Sequence, residues 1–361
     1  MPGTGFVSTV DGSRLYFEEC GQGSAVVLIH DGVTGAAGWD LIWPALCAKH
    51  RVIRYDRRGV GRSGAPSASY SSTADLARLL ADRHVSTATF VGASSGGALA
   101  IDFAILAPAS VDRLVLIGAV VNGLGYSDHF LQRERANLAP LAQGDAAGAA
   151  ANQVNDRHAL APANDSARRR LEDILRRSPH NLRKHGDLEL PSPSPVMTHL
   201  SDIRVPTLIL VGEHDIADVH AHAGAIELGI WGARREIMRD AGHLIQLDQP
   251  EVLSDRIVAF IAESPVVALR ADRLRALAGP YTSPVTPGQT GRFYVQGGRL
   301  FAQFSGGRDV PLYPSSDSTF YTLARTRSQV TFRRDSRNRV VAADILVGGR
   351  LLTAVRLSRS P

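Results

Sequence analysis

Five short apolar runs within the first 212 residues constrain the fold most strongly. They occupy residues 25–30, 51–56, 87–92, 111–118 and 207–212. A strand that is apolar on both faces is typical of a sheet covered by helices on both sides. Helical patterns lie between these runs, for example at residues 73–83 and 96–107. This alternation predicts an α/β fold with a mostly parallel, doubly wound sheet.

Two segments break this alternation and divide the chain. Residues 121–203 contain helical stretches and then a Pro- and Ser-rich segment, so we expect an insertion that forms a helical cap over the sheet. After residue 268, short strands recur with turn residues between them, which is typical of a small antiparallel sheet or barrel. We therefore predict an α/β domain over residues 1–265, including the cap, and a β-rich C-terminal domain over residues 268–361.

The basic residues are unevenly distributed. The net charge of the chain is +5, yet residues 268–361 hold 15 Arg against 5 Asp. This surplus fits an anionic partner, or arginines on solvated strands that dock on the acidic first part of the chain or on a second copy. Nucleic acid is not an expected partner, because the arginines form no continuous block and no aromatic platform lies among them.

The remaining composition excludes several classes of protein. The chain is 44% hydrophobic and 21% charged, close to an ordinary globular protein. No apolar run reaches the roughly 18 residues of a membrane-spanning helix, and the N-terminus lacks the pattern of a secretory signal. Two cysteines, Cys20 and Cys47, are too few for a disulfide framework and fit free buried thiols. We expect a cytoplasmic protein without a membrane span.

The strongest chemical signal is a Gly-x-Ser-x-Gly run between a predicted strand and a predicted helix. Gly92 and Gly96 flank Ser94, which predicts the sharp turn called a nucleophile elbow. Small neighbours are needed there because the serine backbone is strained, and the start of the helix favours negative charge. The overlapping run centred on Ser95 also has small flanks, so Ser95 is the alternative nucleophile.

A serine nucleophile needs a base and an acid that orients the base. Asp215 follows the strand at residues 207–212, and His243 comes later in the chain. The order Ser94, Asp215, His243 is the one expected after an elbow of this type. Glu213 and Asp218 are rival acids. We predict that His243 is the general base and that Asp215 holds its ring.

The oxyanion hole requires two backbone N–H groups. The residue after the nucleophile supplies one, which here is Ser95. The second is expected from the loop after residues 25–30, where Gly32 is the candidate donor. His30, in the same loop, is expected to brace the loop rather than to react.

Taken together, these residues resemble the α/β-hydrolase superfamily over residues 6–262. The resemblance is carried by His30-Asp31-Gly32, by residues 56–63 (DRRGVGRS), by the Ser94 elbow, and by residues 212–215 (GEHD) with Gly242-His243. Asp31 departs from the glycine that the family usually has. The tail is similar to a small β domain appended to serine β-lactamase-like hydrolases, at residues 277–281, 298–300 and 331–335.

This resemblance implies a serine hydrolase that acts on a small-molecule ester, thioester or lactone through an acyl-enzyme. Carbon–carbon bond hydrolysis and cofactor-free peroxide chemistry on the same triad remain alternatives, as does a non-enzymatic binding protein that uses the basic C-terminal domain. No cofactor or metal is expected. The pair His220 and His222 is interpreted as solvent-facing polar positions of a helix rather than as metal ligands.

Overall fold

The structure is a computed structural model. It describes residues 3–357 except 10, 184–186, 193–194, 231, 264–268, 285–287, 289, 297, 305–306, 308, 315, 323–327 and 348–349. The chain forms two compact units, Met1–Phe260 and Ile261–Pro361. The boundary predicted around residues 264–265 lies outside the described residues.

The first unit is built on an eight-stranded sheet. Its strands are β1 (Gly3–Ser8), β2 (Arg14–Cys20), β3 (Ala25–Ile29), β4 (Arg51–Tyr55), β5 (Ala88–Ala93), β6 (Val111–Ile117), β7 (Thr207–Gly212) and β8 (Arg234–Met238). Their order across the sheet is β1-β2-β4-β3-β5-β6-β7-β8. The first two strands form an antiparallel hairpin on one edge, and β2 also pairs antiparallel with β4. Strands β3 to β8 pair with one another in parallel. The predicted mostly parallel α/β sheet is confirmed.

Helices cover this sheet and follow its strands. The α-helices are α1 (Trp43–Cys47), α2 (Ser72–Asp82), α3 (Ser95–Leu106), α4 (Asp128–Leu138), α5 (Ala146–Asn155), α6 (Asp165–Arg177), α7 (Val196–His199), α8 (Ala217–Gly229), α9 (Ile245–Asp248) and α10 (Pro250–Glu263). Short 3₁₀ helices lie at Gly35–Trp39, Pro108–Ser110, Ala139–Gln143, Pro179–Leu182 and Leu200–Asp202. None of the helices described is both long and apolar enough to cross a bilayer.

The centre of the sheet explains where a site can form. Every residue of β5 and β7 is buried, and α3 is buried along most of its length. Such a helix has no solvent-facing stripe and therefore belongs to the core. Because parallel strands end at the same edge, the residues after β3, β5 and β7 are brought together there.

Between β6 and β7 the chain inserts helices α4 to α6. Leu171 and Leu175 of α6 share one apolar core with Leu244 and Leu247, which lie near the predicted base His243. Asn164 caps the N-terminus of α6, and its side chain accepts a hydrogen bond from the Ala167 N–H at 3.0 Å. The inserted helices therefore support the segment that contains His243.

The second unit is a closed antiparallel barrel. Its strands are β9 (Gly279–Thr282), β10 (Thr290–Gln296), β11 (Arg299–Phe304), β12 (Val310–Pro314), β13 (Thr319–Tyr321), β14 (Ser328–Arg334), β15 (Val340–Val347) and β16 (Arg350–Arg356). Strand β9 pairs with both β10 and β16 and closes the ring. Helix α11 (Ala271–Leu277) contributes Leu274 and Leu277 to the barrel core. This confirms the β-rich C-terminal domain and selects the barrel over an open sheet.

The two cysteines are not free thiols. Cys20 and Cys47 form a disulfide, with a Cα–Cα distance of 5.5 Å, that joins the end of β2 to the end of α1. Gly21, with φ of +69°, turns the chain so closely that a Cβ there would overlap the carbonyl oxygens of Cys47 and His50. The sequence interpretation was wrong because the number of cysteines does not reveal this local approach. Disulfides are rare in reducing compartments, so this bond does not support the cytoplasmic location, which stays a prediction.

Candidate active site

Ser94 occupies the turn between β5 and α3. Its backbone has φ of 50° and ψ of −118°, a conformation that costs a non-glycine residue about 1–3 kcal/mol. The Ser94 N–H donates to the Ile117 carbonyl at 2.9 Å, and the Ser94 carbonyl accepts from the Gly97 N–H at 2.9 Å. The turn is therefore held from both sides in the geometry predicted for an elbow.

Both flanking glycines are sterically required. A Cβ on Gly92 would lie less than 3.0 Å from the Gly96 carbonyl, and a Cβ on Gly96 would lie less than 3.0 Å from the carbonyls of Ile29 and His30. All of these neighbours are backbone atoms, which cannot rotate away. The turn can therefore form only with glycine at residues 92 and 96.

Substituting Gly96→Ala is expected to destabilise the elbow. Overpacking of this kind typically costs about 1–3 kcal/mol, so chemical denaturation should show a lower free energy of unfolding. The matched control is Gly125→Ala, because a Cβ on Gly125 meets no atom within 4 Å. Equal unfolding free energies for the two variants would contradict the steric account.

The structure distinguishes the two serines of the run. The strained backbone conformation lies at Ser94, whereas Ser95 begins α3. The Ser95 hydroxyl accepts a hydrogen bond from the Arg57 guanidinium at 2.8 Å. Ser94 therefore occupies the position that lifts a hydroxyl from the sheet, and Ser95 lies at the start of the helix, where backbone N–H groups lack acceptors within the helix.

Asp215 and His243 meet beside the elbow. The Nδ1 atom of His243 lies 2.9 Å from Oδ2 of Asp215, whose side chain is fully buried. The rival acids have other contacts. Glu213 accepts a hydrogen bond from the Asp240 N–H, and Asp218 accepts two from Ser127. The geometry therefore favours Asp215 as the partner of the imidazole.

Two opposing effects act on His243. Burial lowers the pKa of the imidazole, but the charge and hydrogen bond of Asp215, together with the nearby charge of Asp31, raise it by more, so the net pKa lies above the ordinary 6.5. A raised pKa makes the neutral imidazole a stronger base than a free histidine. It also means that the ring accepts a proton more readily as the pH falls.

The segment that contains His243 is tied to the inserted helices. The His243 N–H donates to the His158 carbonyl at 2.8 Å, and the Leu244 N–H donates to the Ala159 carbonyl at 2.9 Å. Asp248 strengthens this junction, because its carboxylate accepts from the backbone N–H groups of Gly242 and Ala161 at 2.8 Å each. Sequence analysis missed Asp248, because its partner Ala161 lies 87 residues away in the chain.

The loop after β3 brings Gly32 to the same cavity. Asp31, which stands where the family usually has glycine, is buried and directs its carboxylate into this loop. It accepts hydrogen bonds from the Val33 and Thr34 N–H groups, from the Thr34 hydroxyl and from the Gln246 side chain, at 2.5–3.0 Å. The departure from glycine therefore adds a fixed hydrogen-bond network to the loop.

His30 braces this loop, as expected. The Arg57 N–H donates to its Nε2 at 2.9 Å, so Nδ1 carries the proton and donates to the Asp31 carbonyl at 2.6 Å. Burial, together with the nearby Arg57 charge, lowers the pKa of His30 to about 3, so the ring is neutral. The Arg57 side chain also donates to the Asp31 carbonyl and thereby links the loop to Ser95.

The elbow, the Asp215–His243 pair and the loop after β3 line one cavity of about 280 Å³. Its wall contains the predicted site residues Gly32, Ser94, Ser95, Asp215 and His243. The inserted segment adds side chains that sequence analysis did not select, among them Phe130, Leu131, Arg133 and Gln153. Periodicity places them on helices, but does not show which helix face meets the cavity.

The histidine pair on α8 corrects one interpretation. His222 is fully buried and does not face solvent. Its Nδ1 accepts a hydrogen bond from the Val121 N–H at 3.0 Å, and its ring centroid lies 4.8 Å from that of Tyr126. The face of α8 that contains His222 therefore contacts the segment after β6, and residue type alone does not reveal this contact.

One group of described side chains has ligand atoms close enough for a metal ion. These are Glu213, His214 and Asp240, whose ligand atoms lie within 4.8 Å of one another. Both carboxylates are exposed, and Glu213 already accepts from the Asp240 backbone. We assign no step of the chemistry to this group.

This fold and site define a class of protein. The sequence profile described as alpha/beta hydrolase fold matches residues 25–250 of the chain. The chain therefore belongs to the α/β-hydrolase family. The match ends before the barrel begins, so the family accounts for the first unit alone.

Individual proteins that are similar to this chain are also named as hydrolases. The putative carbamate hydrolase RutD of Azorhizobium caulinodans is 29% identical over 257 residues, which cover 69% of this chain and 95% of the relative. The 2-hydroxy-6-oxononadienedioate/2-hydroxy-6-oxononatrienedioate hydrolase of Escherichia coli K12 is 30% identical and covers 69% and 91%. The crystal structure of a hydrolase from Pseudomonas aeruginosa PA01 is 27% identical, with a TM-score of 0.62 and coverage of 72% and 98%.

Proposed function

We propose that the protein is a serine hydrolase that cleaves a carboxylic ester, thioester or lactone through an acyl-enzyme. One observation carries this proposal. The strained elbow serine Ser94 and the hydrogen-bonded pair Asp215–His243 line the same cavity. An activated hydroxyl beside an oriented imidazole is the arrangement that acyl transfer requires.

The steps follow from the positions of these groups. The Ser94 hydroxyl attacks the substrate carbonyl carbon while His243 takes its proton, and the carbonyl oxygen gains the negative charge. The backbone N–H groups of Gly32 and Ser95 stabilise that oxyanion. His243 then gives the proton to the departing alcohol, thiol or ring oxygen. Water, deprotonated by His243, then attacks the acyl carbon. The ester bond to Oγ of Ser94 breaks, His243 returns the proton to that oxygen, and the acid is released.

The cavity wall supports a modest, largely uncharged acyl group. Phe130, Leu131 and Val219 present apolar surface to the cavity. Arg133 is one of several charged lining residues, and it is neutralised because its guanidinium pairs with Asp156 and Glu134. A charged acyl chain would find no free counter-ion on Arg133.

A second candidate is hydrolysis of a carbon–carbon bond on the same triad. The similarity to the Escherichia coli hydrolase named above favours it, since that enzyme is named for a 2-hydroxy-6-oxo dienedioate. The two functions are separated by comparing kcat/KM for p-nitrophenyl esters with kcat/KM for a 2-hydroxy-6-oxo dienoate. We expect the ester to be the better substrate.

Covalent labelling tests the proposed nucleophile. A fluorophosphonate should react once per chain, and peptide mass spectrometry should locate the adduct on Ser94. The neighbouring Ser95 provides an internal control in the same peptide, because its hydroxyl is engaged by Arg57. An adduct on Ser95, or no reaction with the folded protein, would overturn the proposal.

A further inference from the structure

The C-terminal barrel contains a cavity of its own, separate from the catalytic one. Its volume is about 330 Å³, and all the described residues that line it lie between Tyr281 and Ala354. Protein interiors are normally packed to the density of organic crystals, so an unfilled space of this size in a small barrel requires an explanation. An eight-stranded barrel is just wide enough either to be filled by side chains or to hold one small ligand.

The strand period shows that the cavity lies inside the barrel. Five strands each contribute two lining residues that are two positions apart, and residues so spaced lie on one face of a strand. These pairs are Ala302 and Phe304, Val310 and Leu312, Ser328 and Val330, Ile345 and Val347, and Leu352 and Ala354. Since the pairs come from strands around the ring, the cavity is the barrel interior and not a surface groove.

Small side chains leave this space open. Ala302 and Ala354 line the cavity at inward positions where longer side chains would fill it. The large aromatic residues of the core are grouped instead with one another. Phe293 and Phe332 have ring centroids 4.9 Å apart, and Tyr281 lies 4.8 Å from Phe293. The barrel is therefore packed in one part and hollow in another.

The side chains that line the cavity determine which class of ligand it can bind. Among the residues that the structure describes, the lining contains no charged side chain. Two of its hydroxyl groups are engaged within the protein: Thr322 accepts from the Ser328 N–H at 3.3 Å, and the Tyr281 hydroxyl donates to the Leu277 carbonyl at 3.0 Å. A charged ligand would lose its hydration and gain no partner there.

We propose that the barrel is a binding site for a small, uncharged, mainly aliphatic molecule. Burial of apolar surface drives the binding, and the satisfied hydroxyls of the wall impose few hydrogen-bond requirements. Leu352 lines the cavity and is 52% exposed, which places it where the cavity approaches solvent. This site is independent of the proposed hydrolysis, because the described residues that line it all belong to the second unit.

Fluorescence titration of the full-length chain with N-phenyl-1-naphthylamine tests this site. The dye is neutral and brightens in apolar surroundings, so it should bind and be displaced more effectively by 1-decanol than by decanoate. Ala302→Leu should weaken dye binding at least tenfold by filling the cavity. Ala276→Leu makes the same change at an exposed position of α11 and should bind like the natural chain.

A second variant keeps the test decisive if Ala302→Leu fails to fold. Leu352→Lys places a charge at a half-exposed lining position, where its cost to stability is small, and should also weaken the dye at least tenfold. Absence of dye binding to the natural chain, or equal binding to both cavity variants and to Ala276→Leu, would overturn the proposal. The latter result would place the dye elsewhere on the molecule.

Discussion

Replacing Ser94 with alanine is expected to lower kcat for p-nitrophenyl acetate by a factor on the order of 10⁵ to 10⁶. The substitution removes the attacking oxygen and leaves the fold intact, because the backbone conformation of residue 94 is held by hydrogen bonds of its N–H and carbonyl. A residual rate above that of water should remain, since the proposed oxyanion donors and the cavity are still present.

The control for this experiment is Ser95→Ala. This variant loses a hydroxyl that accepts from Arg57 but keeps the backbone N–H proposed for the oxyanion hole. It should retain acyl-enzyme formation with a loss far smaller than that of Ser94→Ala. Full turnover by Ser94→Ala, with a circular dichroism spectrum like that of the natural chain, would show that the hydroxyl of residue 94 takes no part in the reaction.

The second large effect is expected for Asp215→Asn. The carboxylate orients the His243 ring and stabilises its protonated form, so its loss should lower kcat by about 10³- to 10⁴-fold. The direction of the pH dependence follows from the pKa of His243, which Asp215 raises above 6.5. Since only the neutral ring accepts a proton, kcat/KM of the natural enzyme should rise with pH through that elevated pKa.

Removing the carboxylate should shift this rise to lower pH. The measurement is the pH profile of kcat/KM for the natural chain and Asp215→Asn, with Asp218→Asn as the matched control because Asp218 contacts Ser127 and not the imidazole. We expect the control to keep the profile of the natural chain. A pH profile that is unchanged by Asp215→Asn but shifted by Asp218→Asn would contradict this account, because it would assign the orienting role to Asp218.

Local signals made the centre of the fold predictable from the sequence. Strands such as β5 and β7 are continuous apolar runs, and their period distinguishes them from the helices that follow. The elbow was equally readable, because Gly92 and Gly96 are required by contacts within a few residues or with the adjoining strand end. Asp215 and His243 could be selected because chain order and strand ends restrict the choice.

Contacts between distant segments were not predictable. Asp248 contacts Ala161 across 87 residues of chain, and Gln246 contacts Asp31 across 215 residues. The spacing of residues in the sequence does not predict such pairs. In the barrel, β9 (GPYT) and β12 (VPLYP) each contain proline, which usually argues against a strand, so residue type alone does not indicate them. The prediction that His222 faces solvent was wrong, because residue type alone does not distinguish a buried, hydrogen-bonded histidine from an exposed one.

The most direct test of the proposed chemistry is a crystal structure of the chain after reaction with a fluorophosphonate. We predict a bond between phosphorus and Oγ of Ser94, with the phosphoryl oxygen about 2.7–3.1 Å from the backbone nitrogens of Gly32 and Ser95. The Nε2 atom of His243 should lie within hydrogen-bonding distance of the adduct. Phosphorus on another residue, or an imidazole turned away from a modified Ser94, would contradict the catalytic assignment.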